Sequence, residues 1–279
     1  MGPVGVVVAI AELAAELDAG GEDDAAAAEL EAAWAGGWWR SATRRDAHPG
    51  RIGGRCRPTW AVVHTTDMHP GTWGGLQTRL QREAGRGAGA HFWVGRTPEQ
   101  GLVQSVSVDR NANHAGGATH GWFVTPGGAK LHPNSYAVGI EVHCAGAVIV
   151  HQGHWYAIDR SRDVDGDGRR DVAPTGAPLP DAEIEADPRR PGRGWHRPSA
   201  WQLEQLAALL AALAGCPLRA PAPAGWSVRP NGSPQGWAPA VVIGGLPVVG
   251  HVTLDPADKL DPWPPLSRWL QQLAVSRAG

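Results

Sequence analysis

Apolar residues occur along the chain in short runs of two kinds, which predict an alternation of strands and helices. Continuous apolar or β-branched runs are typical of buried strands, and they occur in TWAVVHTT (59–66), AHFWVGR, GLVQSVSV, SYAVGIEVH (135–143) and LPVVGH. The letters TPEQG between the second and third of these runs predict a turn that joins two strands. Apolar residues at helical spacing in WGGLQTRLQREAG, SAWQLEQLAALLAALAG and PLSRWLQQLAV predict helices. The alternation predicts a sheet flanked by helices, in an α/β or α+β domain.

The clearest helix signal lies in SAWQLEQLAALLAALAG. Ser199 is the predicted N-cap and Gly215 the predicted end. The predicted apolar stripe consists of Leu203, Leu206, Leu210 and Leu213.

The regions outside these elements predict the domain organisation. Residues 5–36 are rich in helix formers and predict a helix broken at Gly20 and Gly21, whereas RSATRRDAHPGRIGGRCRP (40–58) lacks periodicity and predicts a linker. We therefore expect residues 1–50 to form a helical N-terminal extension with a linker, and residues 51–279 to form one catalytic domain. Two stretches rich in Pro and Gly, about 144–198 and 217–247, are predicted to be long irregular insertions.

Composition excludes several function classes. The net charge is -2 with no long run of Lys or Arg, so nothing predicts binding to nucleic acid or to an anionic membrane. The three cysteines form an odd set without C-x-x-C spacing, so we expect free thiols in a reducing compartment. The apolar stretch near the start of the sequence is not preceded by a basic region, and it is too short to span a bilayer. We therefore expect synthesis in the cytoplasm without a signal peptide, and no membrane span.

Two histidines and a carboxylate form a candidate metal site. His64 and His251 each stand at the end of a predicted buried strand, and Asp261 follows about ten residues after His251. A single histidine in such a place is more often structural. Two imidazoles and one carboxylate, however, are a complete protein ligand set for a catalytic zinc ion with an open fourth position.

Five motifs carry a resemblance to a known family. VVHTT, AHFWVGR, NANHAGG, NSYAVGIEVH and GHVTLDPADKLDPW follow one another as in the zinc-dependent N-acetylmuramoyl-L-alanine amidases of the amidase type 2 group. That group includes bacteriophage lysins and is related in fold to peptidoglycan recognition proteins. The resemblance covers roughly residues 57–275. It implies a central mixed sheet with helices on both faces, and hydrolysis of the amide between N-acetylmuramic acid and L-alanine in peptidoglycan.

The resemblance also implies roles for individual residues. It assigns zinc to His64, His251 and Asp261, and it matches Glu141 and Lys259 to the family's catalytic acidic residue and lysine. A carboxylate can move the proton of the attacking water, and a lysine can stabilise the oxyanion that develops on the amide. The resemblance further implies a groove lined by three residues that contact substrate, His91, His114 and Asn134. For the two histidines a structural role is left open.

Two departures from the family pattern leave the ligand set intact. Many relatives have a second histidine where this chain has Thr65, and some use cysteine where it has Asp261. No ligand is lost in either case, whereas the receptors of this superfamily that only bind have lost ligands.

An acidic stretch, DVDGDGRRD (163–171), predicts either a weak or structural calcium site or a solvated turn. The calcium-loop pattern consists of Asp163, Asp165, Asp167 and Asp171. Pro174 stands where such loops place a bidentate Glu. Seven further histidines show no consistent spacing and are expected in loops or at the surface: His69, His120, His132, His143, His151, His154 and His196.

The sequence predicts a monomeric zinc amidase with peptidoglycan or muropeptides as substrate. It leaves two settings open, a lysin released to the cell wall through a holin and a cytoplasmic enzyme that processes muropeptides. Two alternatives from other classes are a non-catalytic peptidoglycan-binding module and a calcium-binding protein with incidental histidines.

Overall fold

A computed structural model describes residues 32–82, 89–115, 122–159, 172–222, 227–229, 241–250 and 264–275. The strands are β1 (Trp34–Ala35), β2 (Trp38–Trp39), β3 (Thr43–Arg44), β4 (Ile52–Arg55), β5 (Trp60–Thr65), β6 (Phe92–Val94), β7 (Leu102–Gln104), β8 (Arg110–Ala112), β9 (Trp122–Val124), β10 (Lys130–Leu131), β11 (Ala137–Val142), β12 (Ala147–His151), β13 (His154–Asp159), β14 (Ala173–Leu179), β15 (Ile184–Ala186), β16 (Arg193–His196), β17 (Ser227–Arg229), β18 (Val241–Ile243) and β19 (Leu246–Gly250). The α-helices are α1 (Trp73–Arg82), α2 (Pro133–Tyr136), α3 (Ala200–Ala214) and α4 (Pro264–Val275). Short 3-10 helices occupy Pro49–Arg51, Pro70–Thr72 and Asp181–Glu183.

Seven of the described strands form the central sheet, in the order β18-β19-β5-β11-β6-β7-β3. Strands β19, β5, β11 and β6 pair in parallel, while β18 pairs antiparallel to β19 and β7 antiparallel to β6. Every residue of β5 and β11 is buried, as expected for parallel strands covered on both faces. The predicted mixed sheet is confirmed.

Helices cover both faces of the central sheet, as predicted. On one face, Ala61 and Val63 of β5 and Ile140 of β11 pack in a single apolar cluster with α3 and α4. On the other face, α1 packs through Trp73 against Trp93 of β6. Because side chains alternate along each strand, every second side chain of β5 and β11 points to the face that carries α1.

Helix α3 begins and ends as its sequence predicts. The Ser199 hydroxyl accepts a hydrogen bond from the backbone N–H of Gln202, whose side chain accepts one from the Ser199 N–H in return. Gly215 is the C-cap. The Gln202 amide also donates to the carbonyls of Val94 and His143, which joins the helix to the central sheet.

The segment before residue 58 differs from its prediction. Residues 1–31 lie outside the described residues, but Trp34–Ala35 is a strand, so the predicted helix to residue 36 is wrong at its end. The predicted linker is also wrong, because Thr43–Arg44 pairs with β7 at the edge of the central sheet and Ile52–Arg55 pairs with β8. Trp34 is buried in the main core and donates from its indole N–H to the carbonyl of Ala212 in α3. The division into an extension and a catalytic domain at residue 50 stays a prediction.

The first predicted insertion is not irregular. Its described residues contain a second, antiparallel sheet in the order β14-β13-β12-β16-β15, which we call the insertion sheet. The sequence obscured it because its strands contain several prolines and glycines. Of the second insertion, residues 223–226 and 230–240 lie outside the described residues, and the rest contains β17 and β18. Within the part of the chain that the structure describes, no helix is long and apolar enough to cross a membrane.

Candidate active site

The register of the central sheet brings His64 and Glu141 together. The two residues are direct neighbours across the parallel pair of β5 and β11, near the carboxyl end of each strand. Neighbours in a parallel pair project from the same face of the sheet. Their side chains are buried, with exposed fractions of 2% for His64 and 7% for Glu141. An imidazole and a carboxylate thus lie side by side in a part of the protein where charge is costly without a partner.

Strand β19, the other neighbour of β5, ends directly before the next predicted ligand in the sequence, His251. Gly250, the last residue of β19, is paired with Val63, which precedes His64. His251 is the next residue in the sequence. His251, Lys259 and Asp261 lie outside the described residues, as do Asp163, Asp165, Asp167 and Asp171 of the acidic stretch. Among the residues that are described, no group of three or more His, Cys, Asp or Glu side chains is arranged to hold a metal ion.

His114 contacts His64 directly. The Nδ1 atom of His114 lies 3.1 Å from Nε2 of His64, and the Nε2 atom of His114 lies 3.2 Å from the carbonyl oxygen of Ala137. The ring is buried, with 3% of its surface exposed. The predicted groove residue is therefore in contact with the predicted metal ligand.

His91 is bonded to the backbone through both ring nitrogens. Its Nδ1 accepts a hydrogen bond from the N–H of Gly139 at 3.0 Å, and its Nε2 donates to the carbonyl of Arg110 at 2.8 Å. Burial lowers the pKa of His91 to about 4, so the ring is neutral near pH 7. Since its exposed fraction is 0%, these contacts support the structural role that the sequence left open for His91.

Asn134 lies at the start of α2 and organises the loop beside His114. Its side-chain oxygen accepts a hydrogen bond from the N–H of Ala115, and its amide nitrogen donates to the side-chain oxygen of Asn113. Asn134 also lines a cavity of about 290 Å³ together with His132 and Ser135. Its predicted substrate contact stays a prediction.

Two buried histidines were missed by sequence reasoning. His143 lies in the loop after β11, as expected, but its exposed fraction is 0%. The expectation of a surface or loop position is wrong for His196, which lies in β16 with an exposed fraction of 1%. The Nδ1 atom of His143 lies 3.0 Å from the hydroxyl of Thr66, and its Nε2 donates to the carbonyl of Pro70, which joins β11 to the loop after β5. A signal was present for His143, because it directly follows the buried run AVGIEV.

The cysteines do not provide a nucleophile among the described residues. Cys56, Cys144 and Cys216 are buried free thiols, as predicted. Burial raises the pKa of the Cys144 thiol, which follows β11 closely, to about 12. A thiol with such a pKa is almost entirely protonated near pH 7 and is a poor nucleophile.

The comparison with protein-family models agrees with the sequence resemblance. The sequence model of the family described as Amidase_2, N-acetylmuramoyl-L-alanine amidase, matches residues 54–264, well over half of the chain. Among solved structures, the chain is similar to one described as the crystal structure of a Se-Met AmpD derivative. The identity is 17% and the TM-score 0.44, and the match covers 86% of this chain and 98% of that one. No curated protein matches the chain.

Proposed function

Since this chain belongs to the N-acetylmuramoyl-L-alanine amidase family, we propose that it hydrolyses, with zinc, the amide between N-acetylmuramic acid and L-alanine in peptidoglycan. The observation that carries the proposal is the pairing of His64 with Glu141 at the carboxyl edge of the central sheet. An amide is a weak electrophile, so its hydrolysis needs both an activated water and a polarised carbonyl.

We assign the zinc ligands to His64, His251 and Asp261. The described member of this set suits zinc, because His64 is a buried imidazole beside a carboxylate. The neighbouring strand β19 ends at Gly250, the residue that precedes His251 in the sequence. When bound, zinc would polarise the amide carbonyl and lower the pKa of a water ligand to about 7.

The protein residues then move the proton and stabilise charge. Glu141 accepts the proton of the attacking water and donates it to the leaving nitrogen. Lys259 donates a hydrogen bond to the oxyanion that develops on the amide oxygen. The sheet holds Glu141 rigidly beside His64, so that little reorganisation is needed when the substrate binds.

Digestion of purified peptidoglycan tests the reaction. The protein is assayed as prepared, after treatment with a chelator, and after zinc is restored. We expect new L-alanine amino groups that disappear on chelation and return with zinc. Release of reducing sugars alone, or a rate indifferent to chelation, contradicts the proposal. Binding to peptidoglycan without new amino groups supports the non-catalytic module instead.

Substitution of Glu141 tests its role. We expect Glu141→Gln to retain zinc but to lower the turnover rate on the order of a hundredfold or more, because the amide cannot accept the proton. Glu204→Gln is the matched control, since Glu204 lies on α3, which packs on the opposite face of the sheet. His251→Ala is expected to lose both zinc and activity. A near-normal rate for Glu141→Gln removes this residue from the mechanism.

Further parts of the proposal need their own measurements. Comparison of intact sacculi with soluble muropeptides distinguishes a lytic enzyme from one that recycles wall fragments. A monomer is proposed, and light scattering of the full chain tests it. The calcium site in residues 163–171 stays a prediction, and calorimetric calcium titration with Asp165→Ala as the control tests it.

A further inference from the structure

The position of the His114 ring depends on the glycine beneath it. A Cβ atom added at Gly139 would lie far inside van der Waals contact of Cγ of His114. The backbone of Gly139 is fixed in turn by its N–H bond to His91. Gly139, whose backbone is held by His91, therefore leaves room on β11 for the ring of His114.

The hydrogen bonds of His114 determine where its proton lies. A backbone carbonyl only accepts, so the contact with Ala137 requires a proton on Nε2 of His114. In the neutral ring, Nδ1 is then an acceptor, and the atom that faces it is Nε2 of His64. His64 must donate this bond, which places its own proton on Nε2 and its lone pair on Nδ1.

We propose that His114 is a positioning residue of the zinc site, which fixes the tautomer and ring orientation of His64 so that Nδ1 of His64 binds the metal. The inference rests on the proposed function for the identity of the metal. The physical reason is general: a histidine ligand needs an unprotonated nitrogen in a fixed direction, and a hydrogen bond to its other nitrogen supplies both. Here the bond runs from the backbone of β11 through His114 to His64, so the sheet itself sets the direction of the ligand.

Nitrogen NMR of the metal-free protein tests the tautomers without substrate or zinc. At about pH 8, above the ordinary histidine pKa of about 6.5, the ring nitrogens of neutral histidines report which atom carries the proton. We expect both His114 and His64 to be protonated on Nε2. Protonation of His114 on Nδ1 overturns the inference.

Two amide substitutions separate positioning from simple packing. Asparagine places its oxygen near the position of Nδ1 and can still accept from His64, whereas glutamine places its amide near Nε2 and keeps mainly the bond to Ala137. We expect His114→Gln to weaken zinc binding by about 10- to 100-fold in competition with a chelator, and His114→Asn to retain most of the affinity. Equal affinity of both variants and the unaltered protein overturns the inference.

A variant that displaces the His114 ring but keeps its polar atoms gives an independent measurement of the effect on zinc affinity. Gly139→Ala forces the His114 ring away from His64, and we expect a loss of zinc affinity comparable to that of His114→Gln. Gly75→Ala in α1 is the control, because a Cβ there meets nothing within 4 Å. Should the variants fail to fold, the tautomers of the unaltered protein decide the question. Absence of zinc binding by the unaltered protein overturns the proposed function, whereas Nδ1 protonation of His114 overturns the positioning role alone.

Discussion

The central sheet and the insertion sheet differ in how each is attached to the rest of the protein. Ile140 in the central sheet is fully buried in a cluster that includes both α3 and α4. The insertion sheet has its own smaller apolar cluster, around Val148 and Ala157. Part of its surface is exposed, as at Val150 with 41%.

Polar contacts connect the insertion sheet to the central sheet. Arg96, which follows β6, forms an ion pair of 2.9 Å with Glu183 and donates to the carbonyl of Arg197. His196 donates from Nε2 to Glu183 at 3.0 Å and accepts from the N–H of Ala145 at 3.1 Å. The central sheet is thus stabilised mainly by apolar burial, which does not titrate, whereas this junction depends on charges and on a neutral histidine.

The largest expected effect comes from a cavity in the central sheet. Ile140→Ala should lower the free energy of unfolding by about 2–5 kcal/mol, because the lost side chain is fully buried and its surroundings relax only in part. Val150→Ala in the insertion sheet should change it by less than about 0.5 kcal/mol, since that side chain is partly exposed. Urea unfolding measures both. Similar losses for the two variants would remove the contrast between the sheets.

A smaller effect is expected from the junction. Glu183→Gln leaves the Arg96 side chain, which is only 10% exposed, without its carboxylate partner. We expect a cost of about 1–3 kcal/mol, as for hydrogen bonds to charged groups. Hydrogen exchange should accelerate in the insertion sheet more than in β5 and β11.

The matched control for that variant is Glu185→Gln. Glu185 pairs with Arg268, whose side chain is 50% exposed, and such surface pairs contribute about 0–1 kcal/mol. Equal effects of Glu183→Gln and Glu185→Gln would show that the ion pair of Arg96 behaves as a surface pair.

A further expected effect is a dependence of stability on pH at the junction. Burial, assisted by the charge of Arg96, lowers the pKa of His196 to about 4, against an ordinary value of about 6.5. Between these values the unfolded chain binds the proton and the folded chain does not. The contribution of His196 to stability is therefore fully present above about pH 6.5 and is lost as the pH falls toward 4.

Glu183 acts in the same direction at lower pH. Burial raises the pKa of Glu183, but the hydrogen bond from His196 and the charge of Arg96 outweigh it, so the net pKa is lowered. We expect His196→Asn to flatten the loss of stability between about pH 6.5 and 4 in urea unfolding. His154→Asn, at an exposed position of β13, is the control. An unchanged slope for His196→Asn would exclude this histidine as the titrating group.

The elements that could be predicted from sequence are those with a local signal. The run AVVHT and the capped helix after Ser199 carry their own periodicity and end signals, and the structure has both where they were predicted. Thr43 and Arg44 carry no such signal, because a strand this short at a sheet edge is stabilised by its partner β7 rather than by its own residues. The insertion sheet was missed for a different reason, since prolines and glycines interrupt the strand pattern in that part of the sequence.

The sequence by itself determined the candidate chemistry, the family, and the longer strands and helices of the central sheet, because residue type and period are local properties. Only the tertiary structure decided that Glu141 lies beside His64, since the register of two parallel strands depends on packing between segments far apart in the chain. It also decided the contacts of His114. In sequence this is one histidine among 12, and only the fold places its ring between the carbonyl of Ala137 and His64.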